Sequence, residues 1–217
     1  EDLLGLPRNP EIAVPEKELS DQETEKLFSA AKKRAEGYPL QYIIENWEFF
    51  GRKFFVGEGV LIPRPETELL CEVVLKYFSR TMPPKIVDLC SGSGCIAITL
   101  AKELPGADVT AVELYEEAFG YLSKNNELHE KPVKTVKGDA LIPFGNFDCI
   151  VSKRPETGFN VLITHSTSSG SLPNSMAAPN IARRLLMLNR PVSIVLNSRL
   201  LNSSIMPSRC VSIKRAL

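Results

Sequence analysis

Apolar residues recur with a helical period over residues 66 to 80, where Leu69, Leu70, Val73, Val74, Tyr77 and Phe78 fall on one stripe. Glu66 and Glu68 stand in the first turn and Lys76 and Arg80 in the last, each charge complementing the helix dipole. Pro83-Pro84 ends this helix, and a strict alternation follows. Lys85 to Leu89 predicts a buried strand, Cys95 to Glu103 a helix, Val109 to Glu113 a strand and Glu116 to Glu130 a helix. Val133 to Lys137 and Phe147 to Ser152 predict two more strands. Strand and helix in alternation imply right-handed crossovers and an α/β fold with a parallel, doubly wound sheet. Upstream, Ser20-Asp21-Gln22-Glu23 reads as a capping box opening a helix that Gly37 and Pro39 close. Its stripe of Leu27, Ala30, Ala31 and Ala35 is thin, as expected of a small helical region leaning on the main domain. Residues 47 to 62 are aromatic and β-branched with Gly51 as punctuation, the pattern of a hairpin whose aromatics serve packing.

After Ser152 the periodicity stops. The last 65 residues hold eleven serines and one aromatic, Phe159, with runs such as Ser166 to Ser171 that bury too little surface to offset ordering entropy. Leu185 to Leu188 and Val192 to Leu196 could form elements, but the pattern assigns them no place in the sheet. The expected organisation is a helical region over 1–45, a hairpin plus α/β core over 46–152, and a poorly ordered Ser-rich basic tail over 153–217.

Charge sharpens this division. The 217-residue chain carries 26 basic and 26 acidic residues, a balance that points to neither nucleic-acid nor membrane binding. Residues 1 to 152 nevertheless hold 25 of the acids, whereas residues 153 to 217 hold nine bases and the single acid Glu156. Five cysteines without C-x-x-C spacing and only two histidines, His129 and His165, argue against a metal site and fit a reducing cytoplasm. No apolar run approaches the roughly 20 residues needed to span a bilayer.

The strongest chemical signal is Ile86-Val87-Asp88-Leu89-Cys90-Ser91-Gly92-Ser93-Gly94-Cys95, a strand that ends in a Gly-rich turn and opens a helix. This is the ligand-binding corner of a doubly wound fold. From Gly92 the chain also satisfies G-x-G-x-x-A, so the glycines leave a dinucleotide open beside other cofactors. Asp88 separates them, because a carboxylate there would repel a pyrophosphate and suits the ammonium and sulfonium of S-adenosyl-L-methionine. Glu113 ends the next strand, where a carboxylate can accept from both ribose hydroxyls. Asp139, in Lys137-Gly138-Asp139-Ala140, could accept from an adenine amine, or serve as a solvated turn residue or helix cap.

Four segments together are similar to the HemK/PrmC family of release-factor glutamine methyltransferases. They are Gly37-Tyr38-Pro39-Leu40-Gln41-Tyr42-Ile43, Glu48-Phe49-Phe50-Gly51, Leu61-Ile62-Pro63-Arg64-Pro65-Glu66-Thr67-Glu68 and Asp88 to Gly94, in the family's order and spacing over about residues 3 to 152. The resemblance implies an N-terminal helical domain joined through a β-hairpin to a Rossmann-like S-adenosyl-L-methionine-dependent methyltransferase domain. It implies methylation of the glutamine side-chain amide in the Gly-Gly-Gln motif of class 1 peptide chain release factors, in the cytoplasm, without metal. It further implies that Cys90, Ser91, Gly92, Ser93 and Gly94 line the methionine end of the cofactor, Glu113 the ribose, and Asp139 with Ala140 the adenine. Arg64 to Glu68 would pack over the pocket.

The family's Asn-Pro-Pro-Tyr should follow Ile150-Val151-Ser152, and this chain has Lys153-Arg154-Pro155-Glu156 there. In the family the asparagine oxygen and a proline carbonyl accept the hydrogens of the substrate amide and aim its nitrogen. Lys and Arg side chains are donors only, so no catalytic residue is assignable and this copy is expected to be impaired. A shifted reading frame near codon 153 would produce the lost motif, the charge swing and the serine enrichment at once. The alternatives are a sister methyltransferase acting on a ribosomal-protein glutamine or a base amine, a non-catalytic remnant, and an NAD-binding Rossmann protein.

Overall fold

The computed structural model describes residues 1–78, 83–140, 147–154, 158–163 and 192–196. The expected end of the helix at residues 79–80 and the apolar piece at 185–188 lie outside them. Three helices come first: α1 (Pro10–Ala13), α2 (Asp21–Ala35) and α3 (Leu40–Ile44). The capping box is formed as expected, with the Glu23 amide donating to Ser20 Oγ at 3.3 Å and the Ser20 amide donating to Glu23 Oε2 at 2.9 Å. No residue of α2 is buried, which matches its thin stripe. The hairpin β1 (Asn46–Phe49) and β2 (Arg52–Phe55) follows, and the fully buried Phe49 and Phe54 carry it into the main core.

The core domain comprises α4 (Pro65–Phe78), β3 (Lys85–Leu89), α5 (Cys95–Glu103), β4 (Asp108–Glu113), α6 (Glu116–Leu128), β5 (Lys134–Lys137) and β6 (Cys149–Arg154). The strands β7 (Gly158–Ile163) and β8 (Val192–Leu196) complete a six-stranded sheet of order β5-β4-β3-β6-β7-β8. From β5 to β6 every pairing is parallel, as the alternation predicted, whereas β7 runs antiparallel to β6 and β8 parallel to β7. Two stretches after Ser152 thus hold sheet positions that periodicity did not supply, Val192–Leu196 among them. Strand β6 also continues through Lys153 and Arg154, opposite Phe159 and Gly158, where the family resemblance implied a substrate loop.

Covered faces explain the buried strand read at β3, whose last four residues, Asp88 among them, are all buried. One face carries Ile86, Val109, Ala111, Cys149 and Val151 against Leu70, Val74, Ile98 and Leu100 of α4 and α5. The other gathers Val87, Leu89, Val112, Ala140 and Ile150. The chain proceeds from β3 outward through β4 to β5, then returns to the far side of β3 as β6. That reversal makes a topological switch point between β3 and β6, where a doubly wound sheet opens a crevice at its carboxyl edge.

Candidate ligand pocket at the switch point

The turn after β3 is built on left-handed backbone. Cys90, Gly92 and Gly94 have φ of 61°, 56° and 79°, and the non-glycine Cys90 accepts this at a cost of roughly 1–2 kcal/mol. At Gly94 a Cβ would also lie 2.5 Å from Cδ1 of the buried Leu122, so a side chain there would force that leucine to shift. The Ser91 amide donates to the Val112 carbonyl at 3.0 Å, and Ser91 Oγ donates to the Asp88 carbonyl at 2.8 Å, docking the turn on the ends of β4 and β3. A buried asparagine that the sequence reading did not single out completes the brace. Asn125 of α6 accepts from the Phe55 amide at 2.7 Å and donates to the carbonyls of Phe55 at 3.0 Å and Ser93 at 2.9 Å. Its visible signal was an asparagine pair, Asn125-Asn126, three residues past the core residue Leu122.

A pocket lies against this turn. Cys90, Ser91, Gly92 and Ser93 form one wall together with Cys95 and Ile96, and Leu61, Ile62, Pro63, Arg64 and Thr67 form the facing wall. Lys153, one position past the Leu89–Ser152 pair of the β3–β6 ladder, closes its side. The Pro63-to-Glu68 segment therefore both lines the pocket and anchors it, for Glu68 Oε1 accepts the Phe50 amide at 2.8 Å and ties α4 to the hairpin turn. Tyr42 of α3 donates its hydroxyl to the Val60 carbonyl at 2.6 Å, holding the approach to this wall.

The three acids end adjacent strands but meet different surroundings. Asp88 is completely buried on the helix-covered face and neither carboxylate oxygen has a hydrogen bond of ordinary geometry. Burial pushes its pKa up to about 8, with Ser91 and the Ala97 amide opposing and Glu113 reinforcing the rise. The rise favours the neutral form, and Asp88 lies beneath the turn rather than among the residues lining the pocket, where the sequence suggested a carboxylate partner for a cation. The reason is strand periodicity: two residues after Ile86, Asp88 points to the same core face. Glu113 is 5% exposed and already engaged, with Oε2 accepting the Gly92 amide at 2.8 Å and Oε1 the amides of Leu114 and Tyr115 at 2.9 and 3.1 Å. A carboxylate has about four acceptor sites, so capacity for one further donor remains. The Gly138 amide donates to the Glu113 carbonyl at 3.0 Å, which brings half-buried Asp139 and buried Ala140 to the same edge. Cys95, in the pocket wall, has its thiol pushed up to about 12 by burial and stays protonated. Among the described residues no cluster could hold a metal ion, and no helix is long and apolar enough to cross a membrane.

A switch point beside a glycine turn, with acids at or just past the ends of three neighbouring parallel strands, defines the class as a Rossmann-like cofactor-binding fold. Residues 66–160 match the methyltransferase small domain family, and residues 1–44 match the PrmC N-terminal domain. The release factor glutamine methyltransferase of Koribacter versatilis (strain Ellin345) is 44% identical over 150 residues, covering 68% of this chain and 54% of that protein. The enzyme of the same name from Chlorobaculum tepidum is 39% identical over 166 residues, covering 70% and 56%. A SAM-dependent methyltransferase structure from Agrobacterium tumefaciens aligns at 21% identity with a TM-score of 0.46, covering 70% of this chain and 52% of that one. The two family matches and the curated relatives bear out the HemK/PrmC resemblance, and the chain spans about half the length of the curated relatives it matches.

Proposed function

We propose that this protein derives from a cytoplasmic S-adenosyl-L-methionine-dependent methyltransferase acting on the glutamine amide in the Gly-Gly-Gln motif of class 1 peptide chain release factors, and that transfer is impaired in this copy. The observation that carries the reading is the joint pocket of the glycine turn and the Pro63-to-Thr67 wall at the switch point. The residues present fit the cofactor at two ends. Arg64 and Lys153 suit its carboxylate, and Glu113 retains capacity for a ribose hydroxyl. Asp139 and Ala140, at the end of β5, are the residues to meet the adenine.

When bound, the cofactor would supply an electrophilic methyl on a positively charged sulfur, with Arg64, Lys153 and Glu113 as the residues that would hold it. An amide nitrogen is a poor nucleophile because its lone pair is delocalised, so catalysis rests on holding its hydrogens and aiming it. Positioning of that kind can supply roughly 7–11 kcal/mol of a barrier. At the place where acceptor atoms are needed, this chain puts Lys153 and Arg154, whose side chains only donate.

The test is transfer of labelled methyl from S-adenosylmethionine to a release factor bearing Gly-Gly-Gln, beside one with the glutamine replaced, with calorimetry of S-adenosylhomocysteine and NAD in parallel. Binding of S-adenosylhomocysteine without transfer is the expected result. Glutamine-dependent labelling would overturn the impairment, and binding of NAD alone would overturn the cofactor.

A further inference from the structure

Charge in the pocket is one-sided. Its lining includes two cations, Arg64 and Lys153, and no carboxylate. Burial and the Arg64 guanidinium lower the Lys153 pKa from the ordinary lysine value, while Glu66 works toward the charged form. Asp88 is buried beneath the turn with its pKa raised, the Cys95 thiol is uncharged, and Glu113 lies behind the turn with its carboxylate committed to the amides of Gly92, Leu114 and Tyr115, so none of them pairs with the two cations in the pocket wall.

We propose that Lys153 makes this pocket a selector against the sulfonium: it holds S-adenosylhomocysteine, an uncharged thioether, in preference to the positively charged methyl donor. The inference rests on reading the pocket as the methionine-end site. Both ligands present the same carboxylate to Arg64 and Lys153, so that attraction cancels in the comparison. They differ at sulfur, where the donor alone carries a positive charge and meets a half-buried ammonium in a site screened less than bulk water. Such a chain would retain the reaction product, or any ligand of matching shape with a neutral centre and a zwitterionic amino-acid end, and would load poorly with the reactant.

The experiment is calorimetric titration of the full chain and of Lys153→Gln with S-adenosylmethionine, S-adenosylhomocysteine and NAD, at low and high ionic strength. Lys153 is half-buried at the pocket's side, and circular dichroism checks that the variant keeps its fold. The expected result is that Lys153→Gln narrows the thioether-to-sulfonium affinity ratio by about tenfold, because the thioether loses the carboxylate attraction outright while the sulfonium recovers that loss through relief of repulsion. Added salt should narrow the ratio of the unaltered chain in the same direction, a readout that needs no variant. A ratio indifferent to both the substitution and salt, with both ligands bound, would overturn the selector while leaving the pocket assignment intact. Binding of neither ligand, or of NAD alone, would overturn the pocket assignment and the selector with it.

Discussion

Removing the Asn125 side chain should loosen the glycine turn from two sides. In Asn125→Ala the Phe55 amide loses its acceptor at 2.7 Å, and the carbonyls of Phe55 and Ser93 lose donors at 3.0 and 2.9 Å. Each hydrogen bond is worth a net ~0.5–1.5 kcal/mol, so the three together amount to about 1.5–4.5 kcal/mol, with a central value near 3. Asn125 is fully buried, so water reaches the freed groups only through the space the truncation opens. Against the roughly 5–15 kcal/mol that stabilises an ordinary domain, this is a large fraction. Urea unfolding followed by the fluorescence of Trp47, the single tryptophan, measures it, since Trp47 sits on the hairpin that Asn125 grips through Phe55. The neighbouring Asn126→Ala is the internal comparison, because among the described residues its side chain makes the reciprocal pair with Val133 at 3.2 and 3.0 Å, and about 1–3 kcal/mol should be lost. S-adenosylhomocysteine affinity should fall for Asn125→Ala and hold for Asn126→Ala, since only the former releases the Ser93 carbonyl. A loss below about 0.5 kcal/mol for Asn125→Ala, at an unchanged denaturant slope, would refute the brace.

Two further outcomes follow from the same region. Gly94→Ala should destabilise by about 2–4 kcal/mol in the same unfolding assay, combining left-handed strain with overpacking against Leu122, whereas Gly92→Ala, whose Cβ would meet only Val60 at 3.7 Å, should cost about 1–2 kcal/mol. Equal losses would remove the steric part of the argument. Asp88 has a folded pKa raised to about 8 above its unfolded value, so its contribution is fully present below the unfolded pKa and is lost as pH rises through about 8. Stability should therefore fall between about pH 4 and pH 8 at up to about 1.4 kcal/mol per pH unit from this group, and Asp88→Asn should flatten that slope in pH-dependent melting curves. A slope that persists in Asp88→Asn would assign it to another group.

Local periodicity in the sequence was enough to determine α4, the alternation from β3 to β5, the strand at β6 and the glycine turn. Each of these follows from side-chain spacing within one segment, and the capping box of Ser20 and Glu23 is local in the same sense. The family resemblance, not periodicity, implied that Cys90 to Gly94 and Arg64 to Glu68 face one pocket, and Cys90 to Ser93, Arg64 and Thr67 do line one. Tertiary structure alone decided the chemistry of the individual groups. Asp88 reads as a free acid until the helix-covered face closes over it, and Glu113 reads as an open acceptor until three amides from two loops converge on it. Lys153 reads as the start of an atypical tail until the return of β6 beside β3 sets it in the pocket wall. Ionisation, hydrogen-bond capacity and pocket charge depend on what lies across space from a residue, and those neighbours come from segments tens of positions away that no sequence window contains.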